Sequence, residues 1–117
     1  MKLTLAVFSA ALALPISFVQ AQDQVLLENQ SVRVIEATFK PGAKEAVHAR
    51  SAGWYYVTKA GTLKASFTNG KVEMWKPKVG QQAWIDGEEP LTAENVGKTT
   101  LQYILVEIKG AQTKTQN

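Results

Sequence analysis

The chain has 117 residues, a formal net charge of +3, one histidine and no cysteine. Without cysteine there are no disulfides, no zinc–thiolate sites and no thiol nucleophile. Lysines and acids interleave with no basic stripe, so the electrostatic footprint of a nucleic-acid binder is missing, and the length suits one domain with a modest core.

Residues 1–21 read as an export signal. Lys2 supplies the positive start, Leu3 to Val19 is apolar and uncharged, and Val19-Gln20-Ala21 fits a small-x-small cleavage site. The rival reading, a membrane anchor, needs roughly 20 apolar residues in an uninterrupted helix. This run is slightly short and carries Pro15 ahead of the cleavage site. The expectation is cleavage after Ala21, delivery to the periplasm or the exterior, and no stable membrane insertion afterwards.

Residues 22–109 form a succession of short β-runs broken by turn chemistry. Val25-Leu26-Leu27 is the first. Ser31 to Phe39 is β-branched, with Ile35, Ala37 and Phe39 on one face and Arg33 in phase with them. Pro41-Gly42 turns the chain. Gly53 to Thr58 is aromatic and β-branched, and Ala60-Gly61 ends it. Thr62 to Phe67 alternates, with Leu63, Ala65 and Phe67 expected inward. Asn69-Gly70 suits a two-residue type I′ hairpin, with Lys71 to Trp75 returning. Gln81 to Ile85 is a further strand, stopped by Asp86-Gly87. Leu91 to Val96 and Thr99 to Lys109 make a last hairpin. Tyr103 to Val106 are all apolar, as in a strand covered on both faces. Residues 110–117 form a polar tail expected to be mobile. Eight or nine short strands with no helical periodicity suggest an all-β sandwich or barrel, and a jelly roll suits that number.

The sole histidine lies in "PGAKEAVHARSAGWYYVTKAG". Gly42 is followed by five residues and His48, then Arg50, Trp54 after three more, and Gly61 after a further six. Downstream, Gly80, Asp86, Glu88, Leu91 and Asn95 repeat the spacing of a second motif. Together these resemble the two motifs of the cupin superfamily, specifically its small single-domain members. The resemblance spans roughly residues 32–109. It implies a cupin-type double-stranded β-helix, a jelly-roll barrel, and a homodimer.

In cupins two histidines, a glutamate and a third histidine hold a metal. Carried over, those positions are His48, Arg50, Trp54 and Leu91, of which only His48 can ligate a divalent ion. The expectation is therefore a degenerate motif with no metal and no cofactor. Residues two apart on a strand share a face, and the resemblance turns that face of His48 and Arg50 inward. The expected pocket is His48, Arg50, Trp54 and Tyr56, with Arg50 contacting an anion, His48 hydrogen bonding, and the two rings forming a stacking wall. It suits a small organic ligand, anionic or aromatic. As an alternative, His48 serves as general base of a metal-independent isomerase or lyase, although no partner acid or base aligns with it. A second alternative is an interaction dimer whose barrel is plugged by Trp54, Tyr56 and Phe67. In the plainer reading Trp54, Tyr56, Trp84 and Tyr103 are core aromatics, Trp75 faces out at a dimer surface, and Asn95 braces the final turn.

Overall fold

The β-branched and aromatic runs become strands in the computed structural model of the chain, which describes residues 19–110 and, within them, all side chains except those of Val47, His48, Arg50 and Glu88. The expected signal up to residue 18 and the tail from 111 onward lie outside the described residues. Nine strands are present among the described residues, with no helix. They are β1 (Gln22–Glu28), β2 (Val32–Phe39), β3 (Lys44–Arg50), β4 (Gly53–Lys59), β5 (Leu63–Phe67), β6 (Val72–Trp75), β7 (Gln82–Ile85), β8 (Glu88–Asn95) and β9 (Leu101–Ile108). They pair antiparallel in two sheets, β1-β2-β9-β4-β7 and β3-β8-β5-β6. Consecutive strands repeatedly change sheet, so the expected jelly-roll architecture is what the chain adopts.

The core lies between the sheets, and strand alternation dictates it. Ile35, Ala37 and Phe39 from β2 are fully buried, as the alternation predicts, and Leu101 and Leu105 from β9 join them. Leu63 and Ala65 from β5 and Leu91 and Ala93 from β8 supply the opposing wall. Each large side chain buried this way stabilises the fold by about 1.5–3 kcal/mol. Tyr103 stacks on Phe39 with ring centroids 6.2 Å apart, and Phe67 meets Trp75 edge to face at 6.4 Å.

Two details hold the sheets in place. Gly53 lies so close to β9 that an added Cβ would sit 2.0 Å from the Val106 carbonyl oxygen, so this crossing requires glycine. Asn95 is buried and clasps three backbone groups. Its Nδ2 donates to the Phe39 and Thr99 carbonyls, both at 2.8 Å, and its Oδ1 accepts from Gly97 N–H at 2.9 Å. The residue does brace the final turn, and it also ties the end of β2 to that turn.

Several local expectations change. The turn at Asn69-Gly70 is not a two-residue type I′ loop, since that needs positive φ at both residues and only Gly70 has it. Gly70 N–H bonds Phe67 O at 3.0 Å and Phe67 N–H bonds Lys71 O at 2.8 Å, giving a three-residue loop closed by a left-handed glycine. The Asn69 side chain prefers to accept from Lys71 N–H at 2.9 Å. Lys44 to Arg50 forms a strand of its own, β3, with register shifts on either side of His48. Trp75 turns inward against the core, whereas Trp84 stands 56% exposed.

Strand β1 is exposed along its whole length and is held by β2 through a register shift between Val25 and Leu27. The residues before it already take part in the fold. Lys44 N–H donates to Val19 O at 2.8 Å, and Ala21 N–H donates to Lys44 O at 3.1 Å. Cleavage after Ala21 would remove this short bridge from the edge of β3.

Candidate functional site

A cavity of about 500 Å³ opens between the sheets. Tyr55 and Val57 of β4 and Tyr103 and Leu105 of β9 line one wall. Leu63, Trp75, Leu91 and Ala93 line the other. The exposed members of its lining, Met74, Lys76 and Gln81, mark where it meets solvent beside the segment from β6 to β7. Most of the lining is apolar, and the polar groups are few.

Gln81 is the best-positioned of those groups. Its backbone carbonyl accepts from Val57 N–H at 2.9 Å, and its own N–H donates to Lys78 O at 2.9 Å. Its Oε1 accepts from Lys78 N–H at 3.2 Å, which aims Nε2 at the Tyr55 hydroxyl 3.1 Å away. Tyr55 accepts this bond and keeps its own O–H as a donor toward a ligand. Glu45 on β3, half-buried, and exposed Lys76 bring one carboxylate and one ammonium to the same lining. On the lower edge of β6, Trp75 Nε1 donates to Glu73 Oε2 at 2.8 Å, fixing the indole that forms part of the wall.

Of the four residues expected to form the pocket, two have described side chains, Trp54 and Tyr56. Trp54 and Tyr56 do not line the cavity; Tyr55 and Val57 do. The register explains why. Tyr55 pairs with Leu105 and Val57 with Tyr103, on the buried side of β9, while Trp54 and Tyr56 pair with Val106 and Ile104 on its outer side. Their rings sit together on that outer face, with centroids 6.0 Å apart. A one-residue displacement in reading a strand moves every side chain to the other face, and that is the difference here. On β3 the backbone register sets His48 opposite Leu91 and Arg50 opposite Glu88. The side chains of His48 and Arg50 are not among those described.

Sequence reasoning missed Tyr55, Gln81 and Trp75 as cavity residues. The signal that was available is the alternation Tyr55-Val57 in phase with buried Gly53. Gln81 could not have been found this way, because it acts from a loop.

Comparison with solved structures settles the architecture. A cupin domain from Bordetella pertussis Tohama I superposes with a TM-score of 0.72 at 21% identity, over 81% of this chain and 99% of that one. An RmlC-like cupin family protein with a double-stranded β-helix fold, from Methanocaldococcus jannaschii, gives 0.60 at 13% identity, over 80% and 84%. A double-stranded β-helix domain protein from Klebsiella pneumoniae gives 0.59 at 22% identity, over 81% and 87%. The chain has the cupin fold. No family model and no curated protein matches it.

Within the cupin fold, the residues at the metal positions can be tested against the geometry. Leu91 faces the cavity but offers no donor atom, and Trp54 stands on the opposite face of its strand. Arginine keeps its proton and cannot ligate. Among the described residues no three of His, Cys, Asp and Glu cluster. Of the four positions carried over from the cupin motifs, the described Trp54 and Leu91 supply no metal-ligating atom.

Proposed function

We propose that the protein binds a small, largely apolar organic molecule, most simply an aromatic one, inside the barrel. The cavity is the observation that carries this reading. Its volume of about 500 Å³ falls within the range of roughly 300–1,000 Å³ typical of small-molecule sites. Its composition fits as well, with apolar walls and a few fixed polar groups that orient a ligand. Trp75 and Tyr103 supply flat surfaces, and the Gln81–Tyr55 pair supplies a hydroxyl donor near the mouth. An open cavity also argues against the alternative of a plugged barrel.

In this proposal His48 contributes a hydrogen bond from its place beside Leu91, and Arg50 contacts any anionic group of the ligand. Trp54 and Tyr56 leave the binding wall and Tyr55 takes their place. Export to the periplasm or beyond, with the signal removed, is part of the same proposal and rests on the character of residues 1–21.

The test uses 1-anilinonaphthalene-8-sulfonate, an aromatic anion that fluoresces in apolar sites. It should bind saturably, one per chain, and quench Trp75. Arg50→Ala should weaken this anion about tenfold while leaving an uncharged analogue unaffected, an effect of the size expected for one charge-assisted contact. Binding that is non-saturable, or that persists when Ala93→Leu narrows the cavity, would sink the reading. Turnover of a screened substrate that disappears with His48→Ala and survives chelator would favour the isomerase or lyase alternative.

A further inference from the structure

One register row of the four-stranded sheet has carboxylates at its edges and alanines at its centre. Glu45 pairs with Ala93, Ala93 with Ala65, and Ala65 with Glu73. Ala93 and Ala65 are buried and stand on the two central strands, β8 and β5. Ala93 lines the cavity, and its small side chain leaves the hollow open toward β3. There the half-buried Glu45 joins the lining. Among the described lining residues Glu45 is the one acid and Lys76 the one base. Lys76 follows β6 at the opposite edge of the sheet, three strand spacings or about 14 Å from β3 at the backbone. Its exposed ammonium is solvated at the mouth, where salt screens it over a Debye length of about 8–10 Å. The two charges therefore mark opposite ends of the cavity, with the negative one inside.

We propose that the cavity takes an organic cation, an arylalkyl amine whose ammonium sits beside Glu45. This rests on the ligand reading above and names the class of molecule it admits. Three observations favour a cation at the β3 end over a neutral or acidic group. A carboxylate in a mostly apolar wall is costly to desolvate, and a partner of opposite charge offsets that cost. It has about four lone-pair sites, so the contacts Glu45 makes within the fold leave capacity for a ligand N–H. The aromatic lining points the same way. Tyr55, Trp75 and Tyr103 bring three rings from three strands, and ring faces are negative and attract cations. Trp75 also donates its N–H to the Glu73 carboxylate at 2.8 Å, a negative charge at its edge that favours a cation on its face. Lastly, an anionic group has a separate place. Arg50 pairs with Glu88, five residues along β8 from the Ala93 that faces Glu45, or roughly 16 Å away.

The experiment is calorimetric titration of the purified chain with three probes that share a phenyl ring: 2-phenylethylammonium, 2-phenylethanol and 3-phenylpropanoate. The ammonium should bind at least about tenfold more tightly than the alcohol, as one charge-assisted contact gives, and the propanoate should bind most weakly. Glu45→Gln should erase the preference for the ammonium and leave the alcohol's affinity within about twofold. The same variant should bind the naphthalene sulfonate no less tightly. Should Glu45→Gln not fold, the order of affinities in the wild-type chain decides alone. Equal affinities for ammonium and alcohol overturn the proposal, and so does a preference that survives Glu45→Gln. In either case saturable binding of the naphthalene sulfonate leaves the ligand reading standing. Failure of every probe, the sulfonate included, removes the ligand reading and this inference with it.

Discussion

Strand β4 has two faces with the same kinds of residue and different surroundings. Inward it presents Gly53, Tyr55 and Val57; outward it presents Trp54 and Tyr56. The inner aromatic borders a concave space and has its hydroxyl held by Gln81. The outer aromatics lie in a flat row that continues over neighbouring strands. On the proposed reading the concave wall with its fixed polar tip takes a small molecule, and the flat apolar row does not. Residue type alone does not separate the two faces; the register does.

The largest effect should come from Asn95→Ala. It leaves the buried Phe39 carbonyl, and the part-buried Thr99 carbonyl and Gly97 N–H, without their partner. Each such loss costs about 1–3 kcal/mol, so a total of about 4 kcal/mol in urea unfolding is expected. Gly53→Ala comes next, at about 3 kcal/mol, since the new Cβ collides with the Val106 backbone and the neighbour cannot yield as a flexible side chain would. Gly53 sets β4 against β9, so this variant should weaken probe binding as well. If stability falls and binding holds, the inner wall is less tightly coupled to that crossing than the register implies.

The architecture was legible because alternation writes itself into sequence. Ile35, Ala37 and Phe39, and Leu63 and Ala65, are all buried as their period predicts. The spacing of glycines around His48 also pointed to the cupin fold that the solved structures share. The site was less legible for two physical reasons. β3 and β4 lie in different sheets, and the residues between them, Ser51 and Ala52, carry no periodicity that fixes which face of β4 continues the inward row. Carrying the inward direction across that connection puts Trp54 on the wrong face, with Tyr55 next to it on the right one. The other reason is that Gln81 reaches the cavity from a loop, held by its own backbone bonds, and no periodicity reports a loop residue's direction. Burial of aromatics was misjudged in both directions, Trp75 going in and Trp84 going out. Each is a lone tryptophan in a four-residue strand, too short for alternation to be read.

Two milder substitutions separate the faces of the five-stranded sheet from the cavity side. Ala93→Leu adds volume where the cavity has room, so stability should change by less than about 1 kcal/mol while probe affinity falls steeply. Trp84→Ser removes an exposed ring, so the unfolding free energy should move by no more than about 0.5 kcal/mol, while probe binding holds. A loss of probe binding in Trp84→Ser would mean the cavity and the outer face are not independent.

The smallest effects belong to two exposed ion pairs, one beside each region. Lys109 donates to Glu28 at 2.8 Å at the rim of the outer row, and Lys71 pairs with Glu73 at 2.8 Å on β6. The Lys109 hydrogen bond holds the Glu28 carboxyl below its ordinary 4.5, and the Lys71 hydrogen bond, helped by Trp75, does the same for Glu73. A depressed carboxylate contributes stability above its unfolded value and loses it as pH falls through the folded one. The Lys71 ammonium is raised by the same partner, so its share is complete below its unfolded value and fades only as pH climbs through the folded value. Both contributions should be slight at such exposed positions and should shrink in high salt. The pairs differ in what else they hold. Glu73 also accepts from Trp75 Nε1 in the cavity wall, whereas Glu28 touches no cavity residue among its described ion-pair and hydrogen-bond partners. Acidification toward pH 3 should therefore shift Trp75 emission and slacken probe binding, and Glu73→Ala should reproduce that shift at neutral pH. Glu28→Ala should lower the urea midpoint slightly at neutral pH and leave the probe signal alone. Equal probe responses from the two variants would mean that Glu73 does not position the Trp75 wall.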